Sequence, residues 1–371
     1  MTSSAERGSD ANSPTDAPTR TLLALTPDEL VRVFTDLGAK PFHARIAREN
    51  VLGKGLVDYE AMTSLPAGLR AELALHLPIF AGREIGRSSA PDRTTKLLVE
   101  FPRAKDRDAS IEVVHMPSLA LQADDDETEI AGATLCVSTQ AGCPIGCPFC
   151  ASGQLGLARN LAAHEILEQY VRGRTLGRLS RSVVMGMGEP LLNFANLNTA
   201  LDAVHDEMGL GSRRVTVSTV GFPDRLRKLA PSRPRFQLAI SLHTPDQEQR
   251  DELVPAMRGI PIEEILAAGD DWFERTGREV TYEYVLLAGT NDTRGHARRL
   301  ADRLRGRRAT VNLIPYNPIE EGPYRRPQSA DVEGFRRVLA DERIVATVRW
   351  SRGVDSDAAC GQLRLRRVRT S

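Results

Sequence analysis

The chain has 371 residues, 41% of them hydrophobic and 26% charged, a composition typical of globular proteins with one large and one smaller domain. Its 49 basic and 49 acidic side chains cancel, so the net charge gives no sign of a polyanionic partner. No apolar run is long enough to cross a membrane, and residues 1–20 lack the apolar core of a secretory signal. We expect a cytoplasmic protein with a disordered tail over residues 1–20.

The next part of the chain has helical patterns followed by strand patterns. The sequence TPDE at 26–29 is typical of a capping box with proline in the first helical turn, and Gly38 is suited to end that helix. Helical periodicity continues to about Leu77. Leu97–Phe101 and Ile111–Met116 have the composition of short strands. We therefore predict a small helical module followed by a β-rich connector.

From Thr134 onward, apolar β-branched runs alternate with amphipathic helical patterns. Six strand–helix units in series predict a parallel α/β sheet with helices outside it. Because a closed barrel of this kind has eight units, we predict a partial (β/α)6 barrel. The predicted strands are Thr134–Thr139, Ser182–Met187, Arg214–Ser218, Phe236–Leu242, Val280–Leu287 and Thr310–Ile314, and the predicted helices include Leu161–Arg172, Asn196–Asp206, Ile262–Thr276 and Arg294–Leu304.

Polar residues and glycines follow these strands at the end where parallel α/β folds place their sites. In chain order they are a cysteine-rich loop at 142–150, then Gly186–Pro190, Ser218–Gly221, Ser241–His243 and Pro315–Pro318. Because the carboxyl ends of parallel strands lie along one edge, we expect these segments to form a single site.

The cysteines carry the most specific signal. Four of the five fall within about fifteen residues, and the fifth is Cys360. An odd number in a chain expected to lack a leader argues against a disulfide scaffold and for metal or redox chemistry. Cys143, Cys147 and Cys150 are spaced to bind three irons of a 4Fe–4S cluster, whose fourth iron keeps an open position. Such an iron can bind the amino and carboxylate groups of S-adenosylmethionine (SAM) and reduce it.

Two other interpretations of this loop are a zinc site and buried structural thiols. A structural zinc ion takes four protein ligands, and no histidine follows the loop at the spacing of a zinc finger. Isolated buried cysteines have no reason to gather on one loop after a strand. We therefore favour the iron–sulfur cluster.

The loop and the segments after the later strands together resemble one known family. The motifs are TLCVSTQAGCPIGCPFCASGQLGLARNL at 134–161, VVMGMGEPLLNF at 183–194, VTVSTVGF at 215–222, LAISLHTP at 238–245, VNLIPYNP at 311–318 and AACGQL at 358–363. Over about residues 22–363 the chain resembles the radical SAM methyltransferases of dual specificity, which methylate carbon 2 of an adenosine in 23S rRNA and in certain tRNAs. Several motifs in the same order are more specific than any one of them.

This resemblance implies a cofactor site. Cys143, Cys147 and Cys150 would hold the 4Fe–4S cluster, and two SAM molecules would be used per turnover, one as methyl donor and one as radical source. The residues implied to contact SAM are Gly188, Glu189, Ser218, Ser241, Leu242, His243 and Asn317.

The resemblance also implies three catalytic residues. Carbon 2 of adenine is not a nucleophile, so the family first places the methyl group on a cysteine, here Cys360, and converts it to a carbon radical. Glu112 would accept the ring proton, and Cys136 would release the product by forming a transient disulfide with Cys360. Taken alone, Cys136 is equally consistent with a core thiol and Glu112 with an exposed strand carboxylate.

The implied partners are 23S rRNA, with tRNA as a second RNA substrate, and an external electron donor such as a flavodoxin-type reductase. We expect a monomer without membrane contact, in which late arginine clusters, for example 303–308 and 325–326, permit a basic face. We divide the chain into the tail (1–20), a helical RNA-binding-like module (21–80), a β connector with an acidic loop at 119–132 (81–132), the radical SAM partial barrel (133–350) and a C-terminal segment with Cys360 (351–371).

Two rival functions stay open. The related methyltransferase that modifies carbon 8 of the same adenosine shares all five cysteines, and Cys150–Gly153 resembles it, whereas GMGEPLLN at 186–193 favours carbon 2. A non-catalytic RNA-binding protein with a structural metal is the rival from another class. That protein would hold zinc and would not need Cys360.

Overall fold

The computed structural model describes residues 20–101, 109–120, 129–319, 322–350 and 362. Residues 1–19 of the expected tail (1–20) and the candidate methyl carrier Cys360 therefore lie outside the described residues.

The N-terminal module consists of three helices, α1 (Pro27–Asp36), α2 (Pro41–Leu52) and α3 (Ala67–His76). The predicted capping box is confirmed, because the Thr26 hydroxyl accepts from the Glu29 amide at 3.3 Å and the Glu29 carboxylate accepts from the Thr26 amide at 2.8 Å. Gly38 follows the end of α1 with φ +73°, a conformation that favours glycine.

A single ten-stranded sheet forms the centre of the molecule, in the order β1-β2-β3-β4-β7-β8-β9-β10-β11-β12. Strands β1 to β4 pair in antiparallel fashion, and from β4 to β12 every pair is parallel. The strands, with the separate hairpin β5–β6, are β1 (Arg83–Ser89), β2 (Thr95–Phe101), β3 (Ala109–Ala120), β4 (Glu129–Cys136), β5 (Gln140–Gly142), β6 (Leu157–Asn160), β7 (Leu179–Val184), β8 (Val215–Thr219), β9 (Gln237–Ser241), β10 (Val280–Leu286), β11 (Ala309–Pro315) and β12 (Ala346–Val348).

Helices follow the parallel strands as the alternating pattern predicts. Two glycines mark close packing on the sheet, since a Cβ on Gly173 would overlap Leu135 of β4 and a Cβ on Gly269 would overlap Tyr282 of β10. The helices are α4 (Ala151–Gln154), α5 (Ala163–Thr175), α6 (Phe194–Asp206), α7 (Pro223–Leu229), α8 (Gln247–Leu253), α9 (Ile262–Thr276), α10 (Arg294–Leu304) and α11 (Ser329–Asp341). Within the described part of the chain, every helix is too short or too polar to span a membrane.

The predicted α/β fold with a partial barrel is confirmed, because all six predicted barrel strands lie side by side in one open parallel run. The structure extends this run by β12 and adds the antiparallel strands β1–β3 to the same sheet. The acidic segment 119–132 is not wholly a loop, since β3 continues to Ala120 and β4 begins at Glu129. The predicted boundary between the connector and the barrel, at residues 132 and 133, falls inside β4. The division of the chain into domains stays a prediction.

Candidate active site

A pocket lies at the carboxyl ends of the parallel strands. The segments predicted to form a single site meet at this pocket. Its lining includes the cysteine loop and residues at the ends of β7, β8, β9 and β11. The predicted site residues that line it are Cys143, Cys147, Cys150, Gly188, Glu189, Ser218, Ser241, His243 and Asn317.

The cysteine loop is held in a tight path by its glycines. Gly142 has φ +77°, and a Cβ there would overlap the carbonyl oxygen of Gly156. That oxygen accepts from the Cys143 amide at 2.8 Å, which ties the start of the loop to the β5–β6 hairpin. A Cβ on Gly153 would lie 2.9 Å from the Cys147 amide nitrogen. Glycine at both positions therefore allows the backbone to fold closely behind the three thiols.

Burial dominates the electrostatics of these thiols. It raises the pKa of Cys143 to about 12 and also raises the pKa of Cys147 and Cys150. The charge of Cys150 also raises the pKa of Cys143 and of Cys147, and the charge of Cys143 raises that of Cys147. The cation of Arg250 opposes the shift at Cys147. Thiols of this kind ionise readily only when a metal replaces the proton.

The three thiols fit an iron–sulfur cluster in number, loop geometry and burial. Within the described residues, no three His, Cys, Asp or Glu side chains are placed to hold one metal ion. A 4Fe–4S cluster makes a different demand, because each thiolate binds an iron of its own.

Glu189 is a buried carboxylate held by backbone groups at the end of β7. Its oxygens accept from the Leu191 amide at 3.0 Å and the Val220 amide at 2.9 Å, and Thr219 also donates to it. Burial raises its pKa to about 6, and these hydrogen bonds oppose the shift. At neutral pH the side chain is mainly ionised, so it provides a negative charge inside the pocket.

The ends of β8 and β9 bring hydroxyl groups and an imidazole to the same pocket. The Ser218 and Ser241 hydroxyls lie 3.3 Å apart. His243 has φ +66°, and its Nδ1 accepts from the Val285 amide at 3.2 Å. Burial, assisted by the nearby Arg250 cation, lowers the His243 pKa to about 3, so the ring is neutral. Leu242, predicted to contact SAM, is fully buried and is not among the lining residues; its carbonyl accepts from Arg250.

Arg250 of α8 is a site residue that the sequence did not reveal. Its side chain is fully buried and donates to the carbonyl oxygens of Val220 at 2.8 Å, Ser241 at 3.0 Å and Leu242. One guanidinium thus joins the ends of β8 and β9 behind the pocket. Its neighbours in QEQRDEL are polar, so the sequence resembles that of an exposed helix.

Glu283 of β10 is a second missed residue. It lines the pocket, accepts from Asn312 at 2.9 Å, and has its pKa raised to about 7 by burial. The Arg349 cation opposes that shift. A signal was present in the sequence, because a carboxylate inside the apolar strand VTYEYVL is costly without a role.

Comparisons with known proteins decide the family. Residues 137–301 match the radical SAM superfamily. A "Probable dual-specificity RNA methyltransferase RlmN" of Nostoc punctiforme is 42% identical over 92% of this chain and 93% of its own length. A protein of the same name from Rhodopirellula baltica is 43% identical over 93% of this chain and 91% of its own length. The chain belongs to this family of radical SAM methyltransferases.

A solved structure agrees with that assignment. The radical SAM methyltransferase from Sphaerobacter thermophilus has a TM-score of 0.82 and 40% identity, and the match covers 93% of this chain and 99% of that one. Membership in the radical SAM methyltransferases implies a 4Fe–4S cluster and SAM as cofactors.

Cys136 and Glu112, two of the three residues expected to be catalytic, are not among the residues that line the pocket. Cys136 ends β4, and burial raises its pKa to about 11, while the Arg349 cation lowers it. Glu112 of β3 is fully buried and forms an ion pair with Lys96 of β2 at 3.1 Å. Glu112 is therefore not an exposed strand carboxylate.

The late arginines are divided between the two ends of β11. Arg326 donates to Asn317 Oδ1 at 2.9 Å, at the pocket. Arg305 pairs with Asp302 at 2.9 Å, and Arg307 pairs with Asp270, where the chain enters the amino end of β11. Acidic partners thus neutralise much of the 303–308 cluster.

Proposed function

We propose that this chain is a radical SAM methyltransferase that methylates carbon 2 of an adenosine in 23S rRNA, with tRNA as a second substrate. The observation that carries the proposal is the pocket itself, in which three cysteines of one loop face Glu189, Ser218 and Asn317 from separate strand ends. The family membership supports the reaction class, and the motif GMGEPLLN supports carbon 2.

Cys143, Cys147 and Cys150 are the proposed ligands of the 4Fe–4S cluster. When bound, a cluster with one open iron supplies the electron that cleaves the carbon–sulfur bond of SAM. The buried thiols and the apolar side chains of Ile145 and Phe149 in the lining exclude water from that reduction.

The strand ends are proposed to orient SAM. Glu189 carries a negative charge into the pocket, which suits the ammonium group of a methionine moiety. Ser218, Ser241 and Asn317 line the pocket with hydroxyl and amide groups suited to ribose hydroxyls and ring nitrogens. Neutral His243 lies edge-on to Phe149, 5.0 Å away, and gives that wall a polar edge without adding charge.

Glu112, Cys136 and Cys360 are the proposed catalytic residues. Cys360 carries the methyl carbon to the adenine ring, and Glu112 accepts the proton that leaves carbon 2. After the adduct has passed its unpaired electron to a one-electron acceptor, Cys136 attacks the Cys360 sulfur. A sulfur–sulfur bond forms as the sulfur–carbon bond breaks, and the product carbon keeps the bonding pair and takes a proton to complete the methyl group. The position of Cys136 and Glu112 on one face of the neighbouring strands β4 and β3 supports these roles.

Anaerobic reconstitution tests the proposal. Protein with iron, sulfide, SAM and a reductant should form 5′-deoxyadenosine and, with a 23S rRNA fragment, RNA whose adenosine carries a methyl group at carbon 2. Mass spectrometry of the digested RNA distinguishes carbon 2 from carbon 8. Methylation at carbon 8 alone, or a zinc protein that forms no 5′-deoxyadenosine, would overturn the proposal.

The variant Cys136→Ala tests the resolving role. It should form a covalent protein–RNA adduct that no longer releases product, visible as a band shift on a denaturing gel. Cys143→Ala is the matched control, because it should form no adduct at all. Normal turnover by Cys136→Ala would show that another group resolves the adduct.

A further inference from the structure

A buried ion pair lies in the antiparallel part of the sheet. Lys96 Nζ of β2 is 3.1 Å from Glu112 Oε1 of β3, and the exposed fractions of the two side chains are 8% and 0%. A buried pair of charges is expensive to desolvate, and replacing it with apolar residues is often neutral or stabilising. Stability alone therefore gives little reason for this pair.

The strand register places the pair on the same face as Cys136. Lys96 is opposite Val114, and Val114 is in turn opposite Cys136. Because residues two apart on a strand share a face, Glu112 lies on that face as well. Leu135 packs against Gly173 of α5, so Cys136, the next residue, faces away from that helix. The ion pair and the thiol are therefore neighbours on the side of the sheet away from α5.

The charge state of Glu112 decides whether it can act as a base. Burial favours a neutral carboxylic acid, which already holds a proton and is too weak a base to take another. An ammonium group at 3.1 Å favours the carboxylate instead. The ammonium group also lies against Oε1 of the carboxylate, which favours one orientation of that group.

We propose that Lys96 is a positioning residue for the methyl transfer, which holds Glu112 as an oriented carboxylate ready to accept the proton of the adenine ring. This inference rests on the proposed function and assigns a role to a residue outside the pocket. In the step, the carbon 2–hydrogen bond breaks, its electrons return to the ring, and the proton joins Glu112. The Lys96 cation, left beside a neutral acid, then favours loss of that proton to solvent.

Other charged groups face this region from the neighbouring elements. On the same face, Glu100 lies further along β2 and is paired with Arg83 of β1 at 2.8 Å. Arg349, which follows β12, acts on the Cys136 thiol and donates to Met185 Sδ at 3.1 Å. Any change in the titration of Cys136 must therefore be measured separately from that of Glu112.

The test compares Lys96→Met, which removes the charge at similar length, with Lys96→Arg, which keeps it. All proteins are reconstituted, and single-turnover methylation of the rRNA fragment is followed between about pH 6 and pH 9. In wild type, the Lys96 ammonium 3.1 Å away favours the carboxylate form of Glu112. In Lys96→Met the acidic limb of the pH–rate profile should move upward by about 1–3 pH units. Lys96→Arg should keep the wild-type limb.

A second readout separates a chemical role from a structural one. At low pH, Lys96→Met should still form 5′-deoxyadenosine at the wild-type rate and should accumulate the covalent protein–RNA adduct. Exposed Lys228→Met serves as a matched control and should show no change. An unshifted profile in Lys96→Met, or loss of 5′-deoxyadenosine in that variant alone, would overturn the inference. If wild-type protein fails to methylate adenosine, it is the proposed function that falls.

Discussion

Charged side chains at the two ends of the parallel sheet differ in their burial and in the partners that they bind. At the carboxyl end, Glu189 and Arg250 are buried and their partners are mainly backbone amides and carbonyls. At the amino end of β11, Arg305 and Arg307 are more exposed and pair with acidic side chains. Backbone partners are fixed by the strands, so they orient the buried charges, whereas exposed ion pairs are screened and flexible. A cluster of like residues in the sequence therefore indicates a site only when the fold buries it.

The largest effect is expected at the cysteine loop. Cys147→Ala removes one of three thiols at the carboxyl end, so the cluster should not assemble and 5′-deoxyadenosine formation should fall below detection. Iron and sulfide analysis with an absorption spectrum checks the assembly. Retention of a full cluster and of SAM cleavage would remove Cys147 from the ligand set.

The variant Arg250→Met tests the carboxyl end of the sheet through the stability of the protein. It leaves three buried carbonyl oxygens without their donor, which should cost about 2–4 kcal/mol in the free energy of unfolding. Urea denaturation of the protein measures this cost. A change below about 0.5 kcal/mol would mean that the carbonyls find other partners.

The pH dependence of SAM binding tests the charge at Glu189. Because burial raises the pKa of Glu189 to about 6, the carboxylate that attracts the SAM ammonium is present above pH 6 and lost below it. The affinity for SAM should fall by about tenfold per unit as the pH drops below that value. Equilibrium binding to reconstituted protein measures it, and Glu189→Gln should show no such dependence. If the affinity of the wild-type protein for SAM does not change with pH, a group other than Glu189 binds the SAM ammonium.

The smallest effect is expected at the amino end of β11. Arg305→Met breaks exposed ion pairs with Asp302 and Glu342, so unfolding should change by less than about 0.5 kcal/mol and methylation should be unchanged. Denaturation and the methylation assay check both statements. A strong loss of RNA affinity would show that this end contacts RNA, and the contrast between the two ends would fail.

Part of the architecture could be predicted because local patterns were complete. The bounds of α9 and α10 agree with the prediction, since apolar periodicity there is bounded by clear caps, Gly277 at φ +68° and the Thr293 side chain. In contrast, β12 has three residues and β1 has the sequence REIGRSS, so neither shows the alternation typical of a strand.

The pocket lining could be predicted in outline, because glycine and polar motifs follow successive strands. The supporting charges could not. The Arg250 side chain is buried because its guanidinium binds carbonyl groups at the ends of β8 and β9. Lys96 can pair with Glu112 only because β2 lies beside β3 in the sheet. Such pairings depend on contacts between distant segments, which no local pattern records.

Arg349 fixes the rim of the barrel just before the chain reaches Cys360. Its backbone amide donates to the Leu313 carbonyl at 2.8 Å, and its guanidinium reaches Met185 across the mouth. One residue therefore links the end of β11 to the segment that follows β7, so the position of each strand end depends on the other.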